Sequence, residues 1–221
     1  MRELIFDTET TGFDPLSGDR LVEIGLVEMV DRSLTGNHYH VYVNPERDMP
    51  EGAFKIHGLS TEFLSGKALF SSIMDEFLEY VGDSSVLVAH NAEFDMKFIN
   101  WELENAGRPI IHSKRFIDTL AIARTKFPGS PNSLDALCKR FAINNTHRTL
   151  HGALLDAEIL AEVYIELLGG RQGGMDLSVV KTAAAMGPKK ERERRSFPVK
   201  EEELEAHREF IKELKDPIWN S

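Results

Sequence analysis

The order of hydrophobic periodicities along the first hundred residues constrains the fold more than any other feature of the chain. Leu4-Ile5-Phe6 is a short apolar run ending in charge, Leu21 to Val30 alternates as a second strand, and His38 to Val43 reads as a third. Gly36 and Asn37 supply the turn expected between the second and third strands. Three strands in succession predict an antiparallel meander. Helical spacing then runs over 71–81, followed by the buried-type strand Val86-Leu87-Val88-Ala89 and a helix over 92–106. A short strand near 115–117 leads into a helix starting close to Asp118, and Ser133 stands as N-cap ahead of Leu134, Leu137 and Phe141. The longest periodic segment runs from about Gly152 to Leu168 and stops at Gly169-Gly170. The expected class is α/β, a mixed sheet with helices packed on it.

After Gly170 the texture changes. Residues 171–195 mix glycine, Pro188 and the charge run KKERERR with few large apolar side chains, the composition of a flexible linker. Residues 196–221 recover pattern as a short tail, in which Leu204, His207, Phe210, Ile211 and Leu214 share a helix face and Trp219 lies beyond it. The domain at 1–170, the linker and the tail together fit the length of 221 residues, enough for one well-buried domain plus an appendage. No apolar run approaches the roughly 20 residues that cross a bilayer, so no membrane partner is expected. The start MRELIFDTET lacks the marks of a signal peptide, and the single cysteine, Cys138, allows no disulfide framework. A cytoplasmic protein is expected. The formal charge of −10 argues against a nonspecific coat on nucleic acid, which needs a basic surface. It leaves room for an enzyme that grips a few nucleotides through metal ions, because carboxylates that bind cations count as surplus acid.

Asp7 and Glu9 close the first strand in the string Phe6-Asp7-Thr8-Glu9-Thr10-Thr11-Gly12. Positions two apart on a strand point to one side, so both carboxylates face one cavity. Two such charges repel by about 4 kcal/mol at 4 Å and an effective dielectric near 20, a conflict that a divalent cation resolves. Asp95, in His90-Asn91-Ala92-Glu93-Phe94-Asp95, begins the helix after the buried strand. Asp156, in His151-Gly152-Ala153-Leu154-Leu155-Asp156, lies among apolar residues where a lone acid needs a partner or a metal. His151 stands five residues earlier, at or just ahead of a helix start, a place that suits a general base. Each signal alone has a plainer reading: solvated acids at a strand end, an acid complementing a helix dipole, a capping histidine. Asp118, just before a helix, keeps only the capping reading. Together the four acids and one histidine, with no thiolates, favour a hard ion such as Mg²⁺ or Mn²⁺. A two-metal phosphodiester site is the chemistry that needs such a set.

The strings DTETTG, HNAEFD and HGALLDAEILAEVY, in this order, resemble the three exonuclease motifs of the DEDD superfamily. A histidine five residues before the last aspartate is similar to the histidine-using branch. The resemblance covers about residues 2–170, including SLDALC and RTLHGALLDA, and is closest to the proofreading exonucleases of bacterial replicative DNA polymerases. It implies an RNase H-like fold with a 3′→5′ exonuclease activity that releases nucleoside 5′-monophosphates. It further implies two Mg²⁺ or Mn²⁺ ions held by Asp7, Glu9, Asp95 and Asp156, with His151 as general base. Asp7, Glu9, His57 and Asp156 would meet the substrate, a single-stranded or frayed 3′ DNA end. His57, in Ile56-His57-Gly58-Leu59, would contact the terminal nucleotide; its plainer reading is a loop histidine closing a turn. Relatives carry an acid directly before the Ala-Phe that precedes this histidine, where this chain has Gly52, with Glu51 one residue earlier.

The resemblance also implies that 196–221 dock on the polymerase catalytic subunit. Gln172-Gly173-Gly174-Met175-Asp176-Leu177 has the form of short clamp-binding peptides and is expected to reach the sliding clamp, against the alternative that it is a spacer. Two rival functions stand beside proofreading. One is a 3′→5′ exoribonuclease trimming short RNA or tRNA ends, since 2′-OH discrimination lies outside these motifs. The other is a noncatalytic polymerase scaffold, which would not require the four acids and the histidine.

Overall fold

The computed structural model describes residues 1–146, 150–170 and 199–213. The chain divides into two units, Met1–Asp176 and Leu177–Ser221. The first is built on a five-stranded sheet of β1 (Arg2–Thr10), β2 (Leu21–Val30), β3 (Ser33–Tyr42), β4 (Val86–Ala89) and β5 (Phe116–Asp118). Their order across the sheet is β3-β2-β1-β4-β5. β1, β2 and β3 pair antiparallel as the expected meander, and β4 and β5 add in parallel on the other side of β1. Parallel strands need a crossover, which the helices supply. These are α1 (Glu51–His57), α2 (Thr61–Ser65), α3 (Phe70–Val81), α4 (Ala92–Asn105), α5 (Thr119–Lys126), α6 (Leu134–Phe141) and α7 (Ala153–Leu167).

Alternation along β1 divides the core in two. Leu4 and Phe6 join Phe70 and Phe77 of α3 and Phe98, Ile99 and Leu103 of α4. Ile5 joins Leu160, Val163 and Tyr164 of α7, with Leu137 and Cys138 of α6. Glu3, on this second face, is buried and accepts a 2.9 Å hydrogen bond from the Tyr164 hydroxyl. The odd-numbered residues of β1 therefore point at α7 and the even-numbered ones at α3 and α4.

The turn between β2 and β3 falls elsewhere than Gly36-Asn37. Val30 pairs with Ser33, so Asp31 and Arg32 make the turn, with φ of 50° and 65°. Positive φ at both central residues matches the twist of the flanking strands, a requirement that two non-glycine residues meet here. Gly36, at φ 87°, lies inside β3 where the register shifts. Thr35 and Asn37 on either side each donate to Glu28 Oε2 at 2.8 Å, so the glycine signal marks a bulge stitched to β2. Hydrogen bonds from Arg2, Asn37 and Thr35 hold the Glu28 carboxyl down at about 2.

The expected caps are present. Ser133 accepts the N–H of Ala136, and Asp118 accepts that of Leu120. The second unit contains α8 (Glu201–Glu213), on which Leu204 and Phe210 are exposed. The linker at 171–195, the segment 172–177, Leu214 and Trp219 lie outside the described residues. Among the described residues no helix is long and apolar enough to cross a membrane.

Candidate active site

The C-terminal end of β1 opens into a cleft of 970 Å³ whose lining includes Asp7, Glu9, Asp95, His151 and Asp156. The five residues singled out from the sequence are thus brought to one place, from three elements and one loop. Asp7 and Glu9 come from the α7-facing side of β1. Asp156 comes from the first turn of α7, and His151 stands just before that helix, whose N-cap is Gly152.

Gly25 lets α7 come this close. It pairs with Asp7 across β1 and β2. A Cβ at this position would lie 2.3 Å from the Leu154 nitrogen and 2.4 Å from the Ala153 carbonyl carbon. Both are backbone atoms, so no rotamer change makes room, and any side chain here pushes the helix start away from the strand. Close approach of another backbone is a recurrent reason for glycine inside a strand.

Among the described residues Glu9, His151 and Asp156 form a close group: one ligand atom of each lies within 4.8 Å of the others. Glu9 and Asp156 are 8% and 2% exposed, so their mutual repulsion is poorly screened by water. His151 Nδ1 is 3.2 Å from Asp156 Oδ2, and its backbone N–H donates to the Ile56 carbonyl at 3.0 Å. The second contact ties the loop before α7 to the end of α1. Asp7 lines the cleft outside this triplet.

Asp95 approaches across the strand end from the α4 side. Its Oδ1 accepts a 2.7 Å hydrogen bond from the hydroxyl of Thr8, the even-numbered residue between the two β1 acids. Burial pushes the Asp95 carboxyl up to about 7, against the lowering effect of the Thr8 bond. The unfolded chain releases this proton at a lower pH than the folded one. The group therefore costs stability progressively as pH rises through that interval, with the full cost above pH 7. Asp95→Asn, melted in the absence of metal, is expected to gain more stability at pH 8 than at pH 5. An equal gain at both would show that Asp95 ionises as an ordinary carboxylate.

His57 lies at the C-terminus of α1, a helix closed by Gly58 in the left-handed conformation, and not in an open loop. It is buried, its Nδ1 accepts the Leu59 N–H, and among the described residues its buried Nε2 has no hydrogen-bond partner. Burial is the main effect lowering its pKa, which favours a neutral ring. His57 lines a second cavity of 510 Å³ with Phe13, Ala53, Ile56 and Phe94, which shares Thr8, Glu9 and Phe94 with the first. Gly52 is in the lining too, and a Cβ built there meets nothing within 4 Å.

Thr8, Gly25 and Arg124, which also lines the cleft, escape the sequence reading. An isolated glycine inside a strand pattern was the one available signal for Gly25. Thr8 sits between two acids that draw the attention, and Arg124 resembles any basic residue in the last turn of a helix.

Residues 4–164, which contain the whole cleft, match the Exonuclease family (RNase T). The chain belongs to that family. This exonuclease is 49% identical to the DNA polymerase III subunit epsilon of Rickettsia conorii, over 97% of its own length and 96% of that protein. It is 48% identical to the subunit of the same name from Escherichia coli K12, over 77% of this chain and 72% of that one. Among solved structures it resembles exonuclease X in complex with 5′ overhanging duplex DNA, with a TM-score of 0.58 and 29% identity. That likeness covers 76% of this chain and 90% of the other. The mixed sheet with helices on both faces is the RNase H-like exonuclease fold.

Proposed function

We propose that this exonuclease proofreads for a bacterial replicative DNA polymerase, removing mispaired 3′-terminal nucleotides as nucleoside 5′-monophosphates. The observation that carries the reading is the convergence of Asp7, Glu9, Asp156 and His151 on one cleft at the end of β1. The near full-length likeness to epsilon subunits supports the polymerase as its setting.

The donor set fits hard divalent cations: two buried carboxylates and an imidazole have ligand atoms within 4.8 Å, with Asp7 and Asp95 in the same cleft. Asp7, Glu9, Asp95 and Asp156 would hold two Mg²⁺ or Mn²⁺ ions. Bound there, such ions supply Lewis-acid polarisation of the phosphodiester and a more acidic water. His151 takes the proton of the attacking water. Its Nδ1 leans on Asp156, which orients the ring and leaves Nε2 for the cleft. The apolar cavity beside His57 takes the terminal base, and the His57 ring contacts the nucleotide there. In this reading Asp7, Glu9 and Asp156 would also bring the scissile phosphate into register.

Residues 196–221 dock on the polymerase catalytic subunit, with 171–195 as the linker from the nuclease domain at 1–170. The exposed Leu204 and Phe210 on α8 support an apolar contact. Residues 172–177 reach the sliding clamp, weakly, as tethering allows. The protein acts in the cytoplasm.

The test compares matched DNA and RNA 3′ ends under Mg²⁺, using the full chain and a chain ending at Arg195. Both proteins should release deoxynucleoside monophosphates in preference to ribonucleotides, and only the full chain should co-elute with the polymerase subunit. A preference for RNA would favour the trimming nuclease. No release from either substrate would favour the scaffold.

A further inference from the structure

We propose that Asp118 is a positioning residue for the active site, holding the turn from which Asp95 is projected. The inference rests on the reading that Asp95 serves the nuclease. Asp118 ends β5 and pairs with Ala89, the last residue of β4. Its Oδ1 accepts the N–H of Leu120 at 2.9 Å, capping α5, and also the N–H of Asn91 at 2.9 Å on the neighbouring element. The second bond goes beyond capping.

Asn91 has φ 72° and ψ 50°, the left-handed region, and its side chain makes no capping bond to α4. Asparagine enters this region more readily than other non-glycine residues but less freely than glycine, so a bond from outside the turn helps to hold it there. Asp118 provides that support through the Asn91 N–H. Thr119 reinforces the same corner: its hydroxyl donates to the Ala89 carbonyl at 3.1 Å and bonds His90 Nδ1 at 2.9 Å. Directly after Asn91, α4 begins, and Asp95 in its first turn reaches Thr8 and the cleft. Asp118 is not among the residues lining that cleft, whereas Asn91 is, so its hydrogen-bonded path to the site runs through Asn91. If Asn91 relaxes to negative φ, the first turn of α4 reorients and Asp95 leaves its place.

The mechanism makes a prediction that a merely structural cap does not. Asp118→Ala should lower kcat by roughly 10-fold, the low end of the 10–100-fold loss usual for a group bonded directly to a metal ligand, because Asp118 reaches Asp95 only through Asn91. It should also shrink the Mn²⁺-induced rise in melting temperature. Adding Asn91→Gly should recover most of both losses, because glycine takes the left-handed conformation without help; Asn91→Gly alone is the reference for the pair. Asp118→Asn, which keeps an oxygen acceptor, should stay within about threefold of wild type. Should Asp118→Ala fail to fold, Asp118→Ser keeps a good helix cap while its shorter side chain loses Asn91, and it should show the same defect and the same rescue. The inference is overturned if Asp118→Asn is as damaged as the alanine variant, or if Asn91→Gly recovers nothing. It is also overturned if the serine variant is fully active while Asp95→Ala is dead. An active Asp95→Ala would instead overturn the assignment of Asp95 on which the inference rests.

Discussion

Asp156→Ala is expected to abolish nearly all hydrolysis while leaving the fold intact. Groups that act as one unit are grossly non-additive, so losing a single member costs nearly as much as losing all of them, on the order of 10⁴–10⁶-fold. Asp156 is 2% exposed, in the first turn of α7, and belongs to the close ligand group with Glu9 and His151. At 4.8 Å and an effective dielectric near 20, two carboxylates repel by about 3 kcal/mol. Removing Asp156 relieves this in the metal-free protein, so its melting temperature should hold or rise while activity vanishes. Mn²⁺ should stabilise the wild type by an increment that grows with the logarithm of its concentration relative to Kd, and this increment should be lost in the variant. Asp7→Ala, Glu9→Ala and Asp95→Ala should behave alike in activity. An active Asp156→Ala protein, with a wild-type response to Mn²⁺, would show the site to be misassigned.

His151→Ala should lower kcat by about 10²–10⁴-fold, the usual cost of losing a general base, with a smaller effect on KM. The side chain is 47% exposed, so its removal leaves little cavity and little damage to the core. Raising the pH should restore part of the rate by supplying hydroxide. The stabilising increment from Mn²⁺ separates two roles, because His151 Nδ1 lies close enough to Asp156 to serve either. An increment equal to that of wild type identifies a base. An increment that falls with kcat identifies a ligand, and a wild-type rate removes His151 from the chemistry.

Much of this arrangement is legible in the chain because strand period and helix caps are local signals. β1 fixes Asp7 and Glu9 to one face by its period of two, and Gly152 to Leu168 announces α7 by length alone. Other features are decided by partners distant in sequence. The Asp31-Arg32 turn contains no glycine, and the strong Gly36-Asn37 signal serves a bulge whose partner is Glu28. α1 has seven residues, starts after Pro50 without a side-chain cap and contains a glycine, so its periodicity is too short to read. Asp95 meets Thr8 across 87 residues of sequence. The capping role of Asp118 could be read from its position ahead of a helix, whereas its bond to Asn91 depends on the parallel pairing of β4 with β5.

The link between His151 and Ile56 gives the two cavities a common wall. The loop bearing His151 hangs by its backbone N–H from the carbonyl of Ile56, and at Gly58 a methyl group would come within 2.7 Å of Leu150 Cδ1. Ile56 and His57 line the apolar cavity, so a ligand that displaced Ile56 there would also strain the backbone bond that holds His151. On the proposed function, seating of the terminal base and placement of the imidazole would be coupled through that one bond. A poorly seated terminal base would be punished in turnover before it is punished in affinity, because contact energy far from the scissile bond is used to align the reacting groups.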